Sequence, residues 1–269
     1  MSFSRIYSIF IRYWFLVKSN PTRLASIFLW ILVDIIQWGF ISKYLGTFGA
    51  ATFSFVTVIL GAIILWEFTS RIQQGIMTVF LEDIWSQNFI NFFASPLKIG
   101  EYLSGLIMTS IVTSLLGFLL MVLLAGLVFG YNFFKLGLLI FPFIAILFIF
   151  GMAMGIFISA VIFRLGPTAE WIGWPIPLVL SIFSGVFYPI ATLPIGLQVI
   201  AKLIPASYVF ESLRTIITTG SFSSSVGLNL IIGGLLALVY LFVMYKFFIK
   251  IYQHNLKTGN LARFSAEGA

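Results

Sequence analysis

Apolar residues run along this chain in long blocks separated by short polar joints. Six blocks stand out: Leu24 to Ser42, Phe48 to Trp66, Tyr102 to Phe129, Leu136 to Phe163, Trp171 to Val186 and Val226 to Ile249. A hydrocarbon core of ~30 Å needs about 20 residues at 1.5 Å each. The third and fourth blocks are long enough to cross with tilt. The fifth is short and carries Pro175 and Pro177. The pattern predicts an all-α membrane protein, one transmembrane unit over 1–269 with six helical spans at 24–42, 48–66, 102–129, 136–163, 171–186 and 226–249.

Three joints carry patterns of their own. In the stretch from Phe187 to Arg214, Pro189, Pro194 and Pro205 divide an apolar run into pieces at Leu193 to Leu203 and Ala206 to Thr218. Proline is tolerated in a helix's first turn, so Pro194 and Pro205 read as helix starts. Each piece is about 15–20 Å long as a helix. The stretch 187–222 fits a helical hairpin that dips into the outer leaflet and returns; a partly helical loop lying on the membrane is the other reading. Backbone that dips must be buried in protein or line a wet cavity.

From Leu81, apolar residues recur at Ile84, Trp85, Phe89, Phe92 and Phe93, while Glu82, Asp83, Ser86, Gln87 and Asn91 take other positions. This is helical spacing. Ser95-Pro96 ends it, because the residue before proline avoids the helical region. The pattern predicts a cytoplasmic helix within 81–97. Helices that lie on an anionic leaflet favour lysine and arginine. Glu82 and Asp83 suit a protein groove better than that surface.

Residues 1–20 form the third joint. Arg5 and Arg12 are seven apart, hence on one helix face, among tyrosine, tryptophan and phenylalanine. That suits an interfacial helix with snorkelling arginines, ended by Pro21. The arginines also interrupt any signal-peptide core.

Composition sharpens the class. The chain is 61% hydrophobic and 9% charged, with a mean hydropathy of +1.11; soluble domains carry about a quarter charged residues. No hydrophilic stretch is long enough for a soluble catalytic domain. The absence of cysteine excludes disulfides, thiol catalysis and thiolate metal sites. The net charge of +7 reports topology rather than nucleic acid. Arg5, Arg12, Lys18, Arg23, Arg71, Lys98, Arg164, Lys246, Lys250, Lys257 and Arg263 fall on one side of the six-span layout, against Lys43, Lys135, Lys202 and Arg214 on the other. The positive-inside rule then places both termini in the cytoplasm.

Candidate chemistry is sparse. No G-x-x-x-x-G-K-[ST] motif is present, so no P-loop binds ATP here. His254 is the sole histidine and has no metal-ligand spacing around it. Intrinsic enzymatic activity is not expected, nor a cofactor or metal held by this chain. Energy for transport would come from a separate ATPase or an ion gradient. Asp34 sits mid-way along the first block, where an aspartate costs roughly 2.5–3.5 kcal/mol on insertion scales. It therefore needs protein, water or a partner around it. Trp30, Gln37 and Trp38 share its face. The pattern leaves three roles open: a translocation surface for an amphiphile, a proton relay, or a structural hydrogen bond. A proton-coupled secondary transporter usually shows paired broken helices in two halves; no such repeat is visible, nor a second buried acid. Gly126 with Gly130, and Gly151 with Gly155, have spacing for close helix packing. Arg164 and Glu170 flank a short turn.

The stretch "SGVFYPIATLPIGLQVIAKLIPASYVFESLR" resembles the C-terminal signature of the type-2 ABC exporter permeases. The matching positions are Gly185, Phe187, Tyr188, Pro189, Leu193, Pro194, Pro205, Glu211 and Arg214. The six-span layout extends the resemblance over nearly the whole chain. It implies two short re-entrant helices in the 187–222 stretch, with Phe187, Tyr188 and Pro189 as an outer gate. It implies a coupling helix docking into an ABC ATPase, with Leu81, Glu82, Asp83, Ile84, Trp85, Phe89, Ser95 and Pro96 at the contact, and an N-terminal connecting helix. Glu101 falls where the family often has an acid. The resemblance further implies a homodimer, ATP and Mg on the partner ATPase, and a multi-pass protein of a prokaryotic cytoplasmic membrane. The expected cargo is hydrophobic or amphiphilic: a drug, lipid or lipid-linked glycan. A non-exporting ABC membrane subunit is the alternative within this class.

Overall fold

The computed structural model describes residues 2–45 and 53–258. Within them, side chains are described except at 21–28, 45, 53–57, 89, 90, 93 and 134–136. The expected start of the second span at Phe48 and the basic residue Arg263 lie outside the described residues. Among the described residues the chain is helical, without strands: α1 (Phe3–Ser19), α2 (Pro21–Leu45), α3 (Phe53–Trp85), α4 (Phe89–Ala94), α5 (Ile99–Phe129), α6 (Ile140–Leu165), α7 (Glu170–Gly173), α8 (Ile176–Phe183), α9 (Ile195–Lys202), α10 (Pro205–Thr219) and α11 (Ser224–Thr258).

Three described segments are long and apolar enough to cross a membrane: Ile99–Phe129, Gly137–Leu165 and Ser224–Thr258. They match the expected third, fourth and sixth spans. α2 and α3 hold 25 and 33 residues, about 37 and 50 Å of helix. α3 thus continues well beyond the expected end of the second span at Trp66. The expected fifth span is not one helix. It divides into α7 and α8 at Trp174 and Pro175, where the prolines remove donors that a continuous helix would use.

α6 lies at the centre, with α3, α10 and α11 packed around it. It is apolar nearly all round and its apolar window is 78% buried, as suits a helix packed on most of its faces. Two of its glycines set the approach of α3: a Cβ on Gly151 would lie 2.8 Å from the Thr69 carbonyl oxygen, and one on Gly155 2.8 Å from Ile76 Cβ. The other glycine pair behaves differently. Gly130 is the left-handed C-cap of α5, at φ +65°, and serves helix termination rather than packing. α11 presents Leu228, Ile231, Leu235, Leu238 and Phe242 outward. In water such a face would be unfavourable, whereas in hydrocarbon it carries no penalty.

The two short helices expected after Pro194 and Pro205 are present as α9 and α10. α10 is not a surface helix. Val209, Phe210, Ser212 and Leu213 are buried, and the Phe210 ring lies 6.0 Å from that of Trp66 on α3. Pro205 and Tyr208 pack tightly on Gly233 of α11.

Candidate functional site

The expected helix from Leu81 to Phe93 is not continuous. α3 runs through Trp85, and α4 restarts at Phe89. Between them the Gln87 N–H donates to the Ile84 carbonyl at 2.9 Å and the Asn88 N–H to that of Asp83 at 3.2 Å. This is the double bond of a Schellman termination, with Gln87 in the left-handed position at φ +55°. Glycine usually fills that place, so the sequence carries no ordinary stop signal here.

Exposure divides the expected coupling residues. Leu81, Asp83 and Ile84 are buried inside the chain, and Glu82 is half-buried. Trp85 is exposed, as are Ser86, Gln87, Ser95 and Pro96. The Phe89 side chain lies outside the described residues. Asp83 therefore does not offer its carboxylate outward. It accepts a charged hydrogen bond from Arg12 of α1, and the buried Tyr102 hydroxyl of α5 donates to it at 2.7 Å. Burial pushes the Asp83 carboxyl up from the usual aspartate range, with Arg12 and the Tyr102 hydroxyl pulling it back. The Arg12 guanidinium also stands 4.9 Å from the centre of the Phe92 ring.

A second ion pair repeats this one helical heptad away. Arg5 donates to Glu101 at 3.3 Å and to the Pro96 carbonyl at 2.7 Å. Glu101 also accepts from the Ser2 N–H at 2.7 Å and the Lys98 N–H at 3.0 Å. The two arginines expected to snorkel toward lipid are thus directed at carboxylates of α3 and α5. α1 crosses α5 closely, since a Cβ on Gly105 would fall 2.6 Å from Ile9 Cβ. Together these contacts clamp α1 onto the α3–α4–α5 loop.

Beside the clamp lies a cavity of about 670 Å³. Trp30 and Asp34 of α2 line it, together with a polar stripe of α3: Glu67, Arg71, Gln74, Thr78 and Glu82. The stripe's spacing of three and four residues was visible in the sequence and would have found this wall. Arg71 lies 3.5 Å from Asp34 and 3.9 Å from Glu67. Asp34 thus has the partner its position demands, and Glu67 is the second acid that the block pattern missed, one residue past Trp66. Thr113 and Ser114 of α5 add to the lining, as does Trp174 at the break between α7 and α8.

Gln37 and Trp38 take other places. Gln37 is exposed, and the Trp38 ring stacks on Phe187 at 4.9 Å. The Tyr188 hydroxyl donates to the Ile182 carbonyl at 2.7 Å, and Pro189 is exposed. Glu211 and Arg214 hold this turn from α10. Glu211 accepts from the Ile190 N–H at 2.9 Å and from Arg214 at 3.0 Å. Arg214 also donates to the Gly185 carbonyl at 3.1 Å. Gly185 sits at φ +73°, which favours glycine. Pro194 caps α9 and Pro205 opens α10. Among the described residues no group of three or more histidine, aspartate or glutamate side chains is placed to hold a metal.

The sequence model of the family described as ABC-2 type transporter matches residues 4–218. No curated protein matches the chain.

Proposed function

The chain belongs to the ABC-2 type transporter family, and from that premise we propose that it is the permease subunit of an ATP-driven exporter. Members of this family are integral membrane transport subunits and not the catalytic chain. In this reading the chain crosses a prokaryotic cytoplasmic membrane six times, with both termini in the cytoplasm. α9 and α10 form a re-entrant hairpin at the outer leaflet. Two copies pair and bind two ABC ATPase chains, which hold ATP and Mg. The cargo is hydrophobic or amphiphilic and leaves toward the outside.

The observation that carries this reading is the clamp of α1 onto the α3–α4–α5 loop. Its two ion pairs make α1, the end of α3 and the start of α5 one mechanical unit. Trp85, Ser86 and Gln87 stand exposed at its edge, as a docking surface for the ATPase requires. Movement of the docked ATPase would shift α3 and α5 together, and α2 with them through Arg71 and Asp34. Trp38 on α2 stacks on Phe187, which links that movement to the proposed outer gate at Phe187, Tyr188 and Pro189.

The test is purification of the tagged chain from its native host in mild detergent. A stoichiometric P-loop ATPase is expected, and Trp85→Ala should abolish its recovery while leaving the permease folded. A dimer without any ATPase would overturn the reading. The juxtaposition of Asp34 and Glu67 favours a second reading, a proton-coupled transporter. It requires uptake that follows an imposed proton gradient and is lost in Asp34→Asn. A non-exporting subunit would show an ATPase partner whose hydrolysis no cargo stimulates.

A further inference from the structure

One face of α11 changes from apolar to basic without turning. Leu235, Val239 and Phe242 are exposed on it, and Lys246, Lys250 and Lys257 continue the same side, exposed as well. Steps of three, four and seven residues keep to one side of a helix. The opposite side is fixed against α6. Phe248 and Ile251 are buried, and the Phe248 ring stacks on that of Phe163 at 5.9 Å. The Asn255 amide donates to the Phe163 carbonyl at 2.7 Å. That carbonyl belongs to the last turn of α6, and Pro167, four residues on, has no N–H to give it. The positive-inside rule accounts for lysines at this end of α11; its anchorage on α6 decides which way they face.

The packing also sets their depth. α6 and α11 run in the same direction, since Tyr240 meets Phe150 and Asn255 meets Phe163. Phe163 closes the apolar run of α6, and Arg164 follows it. Measured along α11 from Asn255, Lys246 and Lys250 lie about 13 and 7 Å back toward the apolar part, and Lys257 about 3 Å beyond. The first two lysines therefore stand at the edge of the hydrocarbon, where an ammonium seeks the headgroup layer. The Lys246 ammonium stands 5.5 Å from the centre of the Phe242 ring, a contact that suits a cation at an apolar boundary. α11 holds no aspartate or glutamate. Among the described residues no carboxylate pairs with Lys246, Lys250 or Lys257.

We propose that this stripe binds an anionic phospholipid of the inner leaflet, its phosphate held by Lys246 and Lys250 and an acyl chain lying along Leu235, Val239 and Phe242. The inference rests on the topology proposed above, which places the C-terminal end of α11 on the cytoplasmic side. Lys246 and Lys250 are one turn apart, about 6 Å along the axis, so one headgroup can meet both. Lys257 adds attraction at a distance. A zwitterionic lipid would bring its own cation beside the lysines and so binds less well. An ATPase seated below the membrane would meet Lys257 before the two deeper lysines, which favours lipid over protein as their partner.

The experiment is native mass spectrometry of the full chain in detergent, titrated with phosphatidylglycerol or with phosphatidylcholine of the same acyl chains. Phosphatidylglycerol should bind more tightly. Lys246→Gln and Lys250→Gln should each weaken it about fivefold, the increment expected of one basic residue near an anionic headgroup layer. Phosphatidylcholine should be unchanged by either. Lys246→Arg and Lys250→Arg should keep the preference, and Lys202→Gln, on the exposed end of α9, should leave it intact. Equal affinity for the two lipids would overturn the proposal. So would a preference that survives the two glutamine substitutions together, or an equal loss of both lipids in them. The chain has no cysteine, so His254→Cys reports the side of the membrane, and a membrane-impermeant maleimide should label it in inside-out vesicles only. Labelling from the outside would sink the topology and leave lipid selectivity in detergent standing. Lost selectivity with cytoplasmic labelling would sink the lipid site alone.

Discussion

Removal of Arg12 tests the clamp most directly. Asp83 is fully buried, and its carboxylate keeps only the Tyr102 hydroxyl when Arg12 becomes alanine. Breaking a buried ion pair from one side costs about 3–5 kcal/mol. The Arg12 side chain is 25% exposed, so part of its charge already interacts with water, and the loss should fall near about 2–3 kcal/mol. Loss of the ring contact with Phe92 adds about 0.5–1 kcal/mol. Asp83→Asn should cost less, because its amide still meets the Tyr102 hydroxyl and Arg12 can turn to solvent. The double variant should be more stable than the sum of the singles predicts, with a coupling of about 2 kcal/mol. Denaturant unfolding in detergent, followed by tryptophan fluorescence, measures all three. Without Arg12, the folded Asp83 carboxyl lies still further above its unfolded value. Its cost is then absent below the unfolded value, about pH 4, and grows as pH rises toward the folded value. The Arg12→Ala deficit should accordingly be smaller at pH 5 than at pH 8. A deficit within about 0.5 kcal/mol at pH 8, or no coupling in the cycle, would refute the clamp.

Other positions give sharper local tests. Gln87→Gly should stabilise the chain by about 0.5–1 kcal/mol, since a non-glycine residue at positive φ is strained there; the same unfolding curves report it. Arg214→Ala removes donors from Gly185 and Glu211 and should cost about 1–3 kcal/mol, with faster hydrogen exchange at 185–193. Gly155→Leu places a side chain where Ile76 and the Gln73 carbonyl already lie. It should cost at least about 1–3 kcal/mol, visible as lost thermal stability, whereas the same change at the open Gly196 should not.

Local patterns were legible because they are written within a few residues. The apolar blocks at 102–129, 136–163 and 226–249 match helices apolar along their length, and no distant contact is needed to specify that. Pro194 and Pro205 start helices because proline fits only the first turn. Arg5 and Arg12 lie on one face of α1 because seven residues are nearly two turns. The polar stripe from Glu67 to Glu82 was equally local, but it began beyond an apolar block and so escaped a search for apolar runs.

By itself the sequence determined an all-helical membrane chain, its principal apolar helices and the residue faces that need partners. Only the tertiary structure decided who those partners are. Asp83 meets Arg12 across 71 positions, Glu101 meets Arg5 across 96, and Asp34 meets Arg71 only because α2 packs on α3. Local spacing says that a charge in an apolar helix needs a partner, but not which distant helix supplies it. The end of α3 at Trp85 was decided the same way: no glycine marks it, and the buried anchorage of Asp83 coincides with the turn that Gln87 completes. The physical reason is common to all of these. Periodicity is a property of one helix, whereas desolvating a charge must be offset by whatever the packed helices bring beside it.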